Sequence, residues 1–252
     1  MRRRATVSLQ AILANAAVLT SALRQPIASA FADLRADAYG HGLAPVADAL
    51  TAAGIGGFVV SDPDARGLLI SRHPGVAVRI GAVDARPESG LERSGSALLG
   101  PELFGLGEYH STLAPELRAA LRPALCLTSE VLSIKRVRAG TGVSYGYTYR
   151  TVAETTLVLS GLGFADGIPR AASNRAPVLV GAVHSRVSGR IAMDQFVIDV
   201  GDAVPSVGDT VVLFGDGSAG EPTAADWARA TGIRSEAIVA GLGARIERVY
   251  RR

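Results

Sequence analysis

From residue 8 to 23 the apolar positions Leu9, Ile12, Leu13, Ala16, Leu19 and Leu23 recur at helical spacing and predict an amphipathic helix. Residues 28–34 form a short mixed run suited to a strand. Tyr39-Gly40-His41-Gly42 then breaks the chain before a second helical stretch at 44–53. Strand 57–60, helix 63–71 and strand 76–80 repeat this alternation, which implies parallel strands joined by helical crossovers. Residues 84–96 are rich in Pro, Gly, Ser and charge and read as a loop or short helix. Ala97-Leu98-Leu99 with Leu103-Phe104 supply one more strand, and 113–121 one more helix, for roughly four strands in all.

Beyond Arg122 the texture changes to short apolar runs at 124–127, 131–137, 156–159, 178–180, 196–200 and 210–214, separated by Gly, Asp and Pro. Short strands at such spacing predict a β-rich second domain, interrupted by one helix near 224–230. The expected division is a barrel-like α/β domain at 10–121 and a β domain at 122–252, with an N-terminal strand at 5–9 joining the second. Tyr145, Tyr147 and Tyr149 alternate and are expected on one strand face. The glycines of Gly161-Leu162-Gly163 and Gly215-Asp216-Gly217 read as hairpin turns rather than phosphate loops.

The chain has 252 residues, 48% of them apolar and 19% charged, which is the mixture of a folded globular protein. No run of about 18 apolar residues predicts a membrane span, and the basic start is too short and polar for a secretion signal, so the expected location is the cytoplasm. A net charge of +3 with dispersed arginines argues against nucleic-acid binding. One cysteine, Cys126, excludes an intramolecular disulfide, and the scattered histidines show no metal-ligand spacing, so no metal is expected. Among the basic residues Lys135 is the only lysine, and every other one is arginine.

The chemistry is expected at the C-terminal end of the first parallel strand, where α/β enzymes gather their reactive groups. The residues there are Arg35-Ala36-Asp37-Ala38-Tyr39-Gly40-His41-Gly42. This block resembles the pyridoxal-phosphate motif of the alanine racemase family, which reads lysine, Ala, Asp, Ala, Tyr, Gly, His, Gly. Further blocks continue the resemblance: Gly142-Val143-Ser144-Tyr145-Gly146, Gly163 to Gly167 with Pro169-Arg170, Gly189 to Gln195, and Leu242 to Arg245 with Arg248-Val249-Tyr250.

The resemblance implies a (β/α)8 barrel followed by a β domain, assembled as a homodimer whose active sites are shared between subunits. It implies pyridoxal phosphate held as a Schiff base by the barrel lysine, with a tyrosine from the partner as the second base. Carried over by position, Tyr145 is that tyrosine and Arg35 stands in place of the lysine. Met193 and Asp194 line the substrate pocket, and Tyr39 contacts the cofactor.

A Schiff base needs an amine that can lose its proton, and a guanidinium with a pKa above about 12 does not. Leu98, Phe164 and Ala244 also replace polar residues of the family pattern. A full barrel takes roughly 250 residues, so residues 11–121 could supply only a shortened, open one. The expected function is therefore a degenerate, non-catalytic alanine racemase-like protein, as a homodimer or as a mixed dimer with a full-length racemase. The alternative is an active racemase interconverting L- and D-alanine.

Overall fold

The computed structural model describes residues 2–81, 96–107 and 113–252, together with the backbone of 90 and 91. The expected loop at 84–96 therefore lies largely outside the described residues. The chain divides into two compact units, one of Met1–Thr6 with Leu125–Val249 and one of Val7–Ala124 with Tyr250–Arg252.

The chain opens with strand β1 (Arg3–Ser8), which joins the sheet of the first unit. Helix α1 (Leu9–Ala22) begins the second unit, where the Ser8 hydroxyl accepts a bond from Ala11 N and so caps one of the orphan amides. Its inner face buries Ile12, Ala16 and Leu19. Asn15 anchors the helix: its amide donates to the carbonyls of Leu103 (3.0 Å) and Arg122 (2.8 Å) and accepts from Arg122 N.

Strand β2 (Ala30–Asp33), the one-turn α2 (Arg35–Tyr39), α3 (Leu43–Ala52), β3 (Gly57–Val60), α4 (Pro63–Arg72) and β4 (Ala77–Ile80) follow in the predicted alternation. β5 (Gly90–Leu91) and β6 (Ala97–Leu99) complete a sheet in the order β4-β3-β2-β6-β5. All neighbours are parallel except β5 and β6. β2 and β3 are buried along their whole length, as parallel strands covered on both faces must be, whereas β4 is mostly exposed. The first parallel strand thus has neighbours on both sides, as in a ring, but among the described residues the sheet does not close. It is a shortened, open barrel-like domain. Leu103 and Phe104 form a 3-10 turn rather than strand, because Pro101 starts it and Gly105 ends it at φ +70°. α5 (Pro115–Ala120) ends the unit.

In the other unit β7 (Leu125–Val137) is a single 13-residue strand where two runs were expected, because the polar residues 128–130 alternate in step with their neighbours. The strands β8 (Gly142–Val143), β9 (Tyr149–Arg150), β10 (Thr155–Ser160), β11 (Pro177–Val180), β12 (Val183–Arg186), β13 (Phe196–Asp199), β14 (Thr210–Phe214) and β15 (Glu247–Arg251) follow. The main sheet runs β12-β11-β14-β7-β1-β15, with β10 pairing β7 and β13, while β8 and β9 form a separate ribbon.

Helix α6 (Ala224–Thr231) starts at a capping box in which Thr223 and Asp226 bond each other's backbone amides. Its Trp227 is fully buried and donates to Pro177 O at 2.8 Å. α7 (Ser235–Ala240) follows at once and was not expected; it is only six residues long between Gly232 and Gly241.

Two further expectations are corrected. Tyr145 and Tyr147 do not share a strand face with Tyr149, since Ser144, Gly146 and Tyr147 all have positive φ and break the run into a turn. Nor is Gly161 to Gly163 a hairpin turn: it leads into the 3-10 turn Phe164–Asp166.

Candidate functional site

At the end of β2 the backbone turns left-handed. Ala36, Asp37, Ala38 and Tyr39 all have φ between 51° and 57°, followed by Gly40 at 77°. For L-residues this costs about 1–2 kcal/mol each. Local bonds offset the strain: Ala38 N donates to Leu34 O, Gly40 N to Ala36 O and Gly42 N to Asp37 O, and Asp37 Oδ1 accepts from Leu43 N at 2.7 Å. His41 is buried, donates from Nδ1 to Ala38 O at 3.0 Å and stacks on Phe104, so it serves the turn.

This turn brings Arg35 and Tyr39 onto one carboxylate. Asp33, the last residue of β2, is fully buried. Its Oδ1 accepts from Arg35 Nε at 2.9 Å and from Arg35 N at 3.1 Å, while Oδ2 accepts from Arg35 Nη2 at 2.7 Å and from the Tyr39 hydroxyl at 2.8 Å. The Arg35–Asp33 contact is a two-pronged ion pair in which the arginine side chain is only 15% exposed. The hydrogen bond to Asp33 raises the Arg35 pKa above its ordinary value, against the opposing pull of burial. Asp33 escaped sequence reasoning, although a carboxylate ending an apolar run two positions before an arginine is a visible signal.

In the β unit a shallow depression of about 440 Å³ is lined by Tyr145, Ala192, Met193, Asp194 and Gln195. It brings Tyr145, Met193 and Asp194 together. Tyr145 is 47% exposed and Met193 58% exposed. The Tyr145 hydroxyl donates to Ile191 O at 2.8 Å, and the Arg170 and Arg190 guanidiniums lie 5.8 and 5.9 Å from its ring centre, within cation–π range.

The wall at 192–195 is held by Phe164 N and Ala165 N, which donate to the carbonyls of Ala192 and Met193. Position 163 must be glycine, since a Cβ there would lie 2.4 Å from Met193 O. Asp194 pairs with Arg245 at 2.5 Å, and Arg245 reaches on to the fully buried Asp166 at 3.0 Å. Asp166 also pairs with Arg3 at 3.2 Å and accepts from Gly163 N. Arg3 and Arg245, at the two ends of the chain, were not foreseen in this role.

A larger groove of about 620 Å³ lies beside Tyr149, whose hydroxyl donates to Asp199 at 2.7 Å. Burial, then that bond, pushes the Tyr149 phenol up to about 12. Lys135 is exposed on β7, opposite Leu157. Among the described residues no group of acidic, histidine or cysteine side chains is placed to hold a metal, and no helix is long and apolar enough to cross a membrane.

The family model of the alanine racemase C-terminal domain matches residues 124–250, and that of the alanine racemase N-terminal domain matches residues 7–131. The chain belongs to the alanine racemase family. It is 44% identical over 199 residues to an alanine racemase of Frankia casuarinae, covering 71% of this chain and 52% of that protein. It is also 49% identical over 147 residues to one of Thermobifida fusca, covering 58% of this chain and 39% of the relative. The chain thus spans about half the length, or less, of these relatives. Among solved structures, the alanine racemase of Streptomyces coelicolor A3(2) aligns with a TM-score of 0.85 at 26% identity, over 99% of this chain and 98% of that one.

Proposed function

We propose that this chain is a non-catalytic member of the alanine racemase family that acts through the surface of its β unit. The observation that carries the reading is the ion pair at the end of β2. Arg35 stands where the family motif has its Schiff-base lysine, and its guanidinium is committed to the buried Asp33. A guanidinium that stays protonated offers no free electron pair to an aldehyde. Tyr39, the proposed cofactor contact, spends its hydroxyl on the same carboxylate. The residues at this mouth therefore do not fit covalent attachment of pyridoxal phosphate. Lys135, the one lysine, belongs to the other unit.

The test is purified protein with pyridoxal phosphate and L-alanine. The expected result is no visible band beyond that of the free coenzyme and no D-alanine. A stable coloured complex, or racemisation above the uncatalysed rate, would overturn the reading in favour of an active racemase.

The β unit keeps the residues that serve a neighbour's site in family dimers. Tyr145 is the proposed catalytic tyrosine, and Met193 with Asp194 are the proposed substrate-pocket residues. Exposed Tyr145, Phe164 and Met193 give this face an apolar character suited to a protein partner, either a second copy or a full-length racemase of the same cell. Gel filtration of the chain, alone and mixed with that racemase, is expected to show association that Met193→Glu weakens. A monomer in both samples counts against the partner role.

A further inference from the structure

We infer that Asp33 is a second, independent lock on the mouth of β2, so that restoring an amine at position 35 does not by itself make that position reactive toward an aldehyde. The inference rests on the reading of Arg35 given above but concerns a different residue.

Asp33 is fully buried, and it presents both carboxylate oxygens to the side chain at position 35, just before the left-handed turn. A lysine there meets the same two oxygens. An opposite charge within about 4–6 Å favours the charged form of a lysine, whose ordinary pKa is about 10.4. The ammonium form has no lone pair, and condensation with an aldehyde, which releases one water for each imine formed, requires the neutral amine.

Little else near the carboxylate counters this. Among the described residues Tyr39 is the other titratable group hydrogen-bonded to Asp33, and it donates to the carboxylate rather than competing for a cation. β3 and β6, the neighbours of β2, carry no charged residue. Arg79 of β4 stacks on the Phe31 ring, 3.8 Å from its centre. The Asp37 carboxylate is turned to Leu43 N. Without the Asp33 charge the largest attraction for a cation at this position is gone, and burial favours the neutral amine.

The experiment compares Arg35→Lys with Asp33→Asn/Arg35→Lys at pH 8. Each is treated with pyridoxal phosphate, reduced with borohydride and mapped by peptide mass, and labelling at position 35 is normalised to that at exposed Lys135. Asparagine keeps the shape of the side chain and removes its charge. The double variant is expected to label at position 35 at least about tenfold faster, the factor that one pKa unit gives. Equal labelling in the two variants overturns the lock, whatever the wild-type chain does with L-alanine.

Should the double variant not fold, the pH dependence of labelling in Arg35→Lys alone decides. A midpoint above about 10.4 supports the lock, and one at or below that value overturns it.

Discussion

Each unit of the chain buries a carboxylate that pairs with arginine, and the two arrangements serve different ends. In the β unit Asp166 is gripped by Arg3 and Arg245, residues from opposite ends of the sequence, and through Arg245 it also steadies Asp194 at the rim of the depression. In the barrel-like unit Asp33 is gripped by Arg35 and Tyr39, two and six positions away. The same chemistry is a tertiary staple in one place and an occupied site in the other. What separates them is sequence distance: a long-range pair holds distant segments together, while a short-range pair only fixes the local turn.

The largest expected effect tests that contrast directly. Asp166→Leu removes the buried carboxylate that pairs with Arg3, whose side chain is only 11% exposed, and is expected to cost about 3–5 kcal/mol in urea denaturation. Asp33→Asn has one acceptor oxygen where the carboxylate has two, so the bonds from Arg35 N and the Tyr39 hydroxyl cannot both be kept as they are, and it should cost about 1–3 kcal/mol. Equal losses would abolish the distinction.

A smaller effect lies at high pH. Because the folded Tyr149 phenol titrates near 12, above its ordinary 10, its contribution to stability is complete below pH 10 and is lost as the pH rises from 10 to 12. Ultraviolet titration should show a late-ionising tyrosine that Tyr149→Phe removes. If that variant leaves the titration unchanged, Tyr149 is not so buried.

The smallest effect belongs to the left-handed turn. Ala36 is exposed at φ 51°, so Ala36→Gly should stabilise by up to about 1 kcal/mol, the relief of left-handed strain less the entropy of glycine. A loss of stability on thermal melting would contradict the strained geometry.

Much of this was legible in the sequence, and the failures have physical causes. The run of α1, β2, α3, β3, α4 and β4 was readable because helical and strand periods alternate cleanly there. The left-handed turn was hidden, since Ala-Asp-Ala-Tyr carries no glycine and only Gly40 and Gly42 hint at reversed handedness. Tyr145-Gly146-Tyr147 mimicked strand alternation, but Gly146 and the positive φ of Tyr147 turn the chain instead. α7 is too short for a period to register. The convergence of Tyr145, Met193 and Asp194 came from motif resemblance alone, because no local pattern brings positions almost fifty residues apart to one surface.

The strand order β4-β3-β2-β6-β5 has a consequence for how such a chain could arise. In a closed ring the founding strand touches its successor on one flank and the final strand on the other, and β2 still does both. A deletion between β4 and β6 would thus cut the circle opposite its seam, discarding whole repeating modules while each surviving contact between neighbours persists.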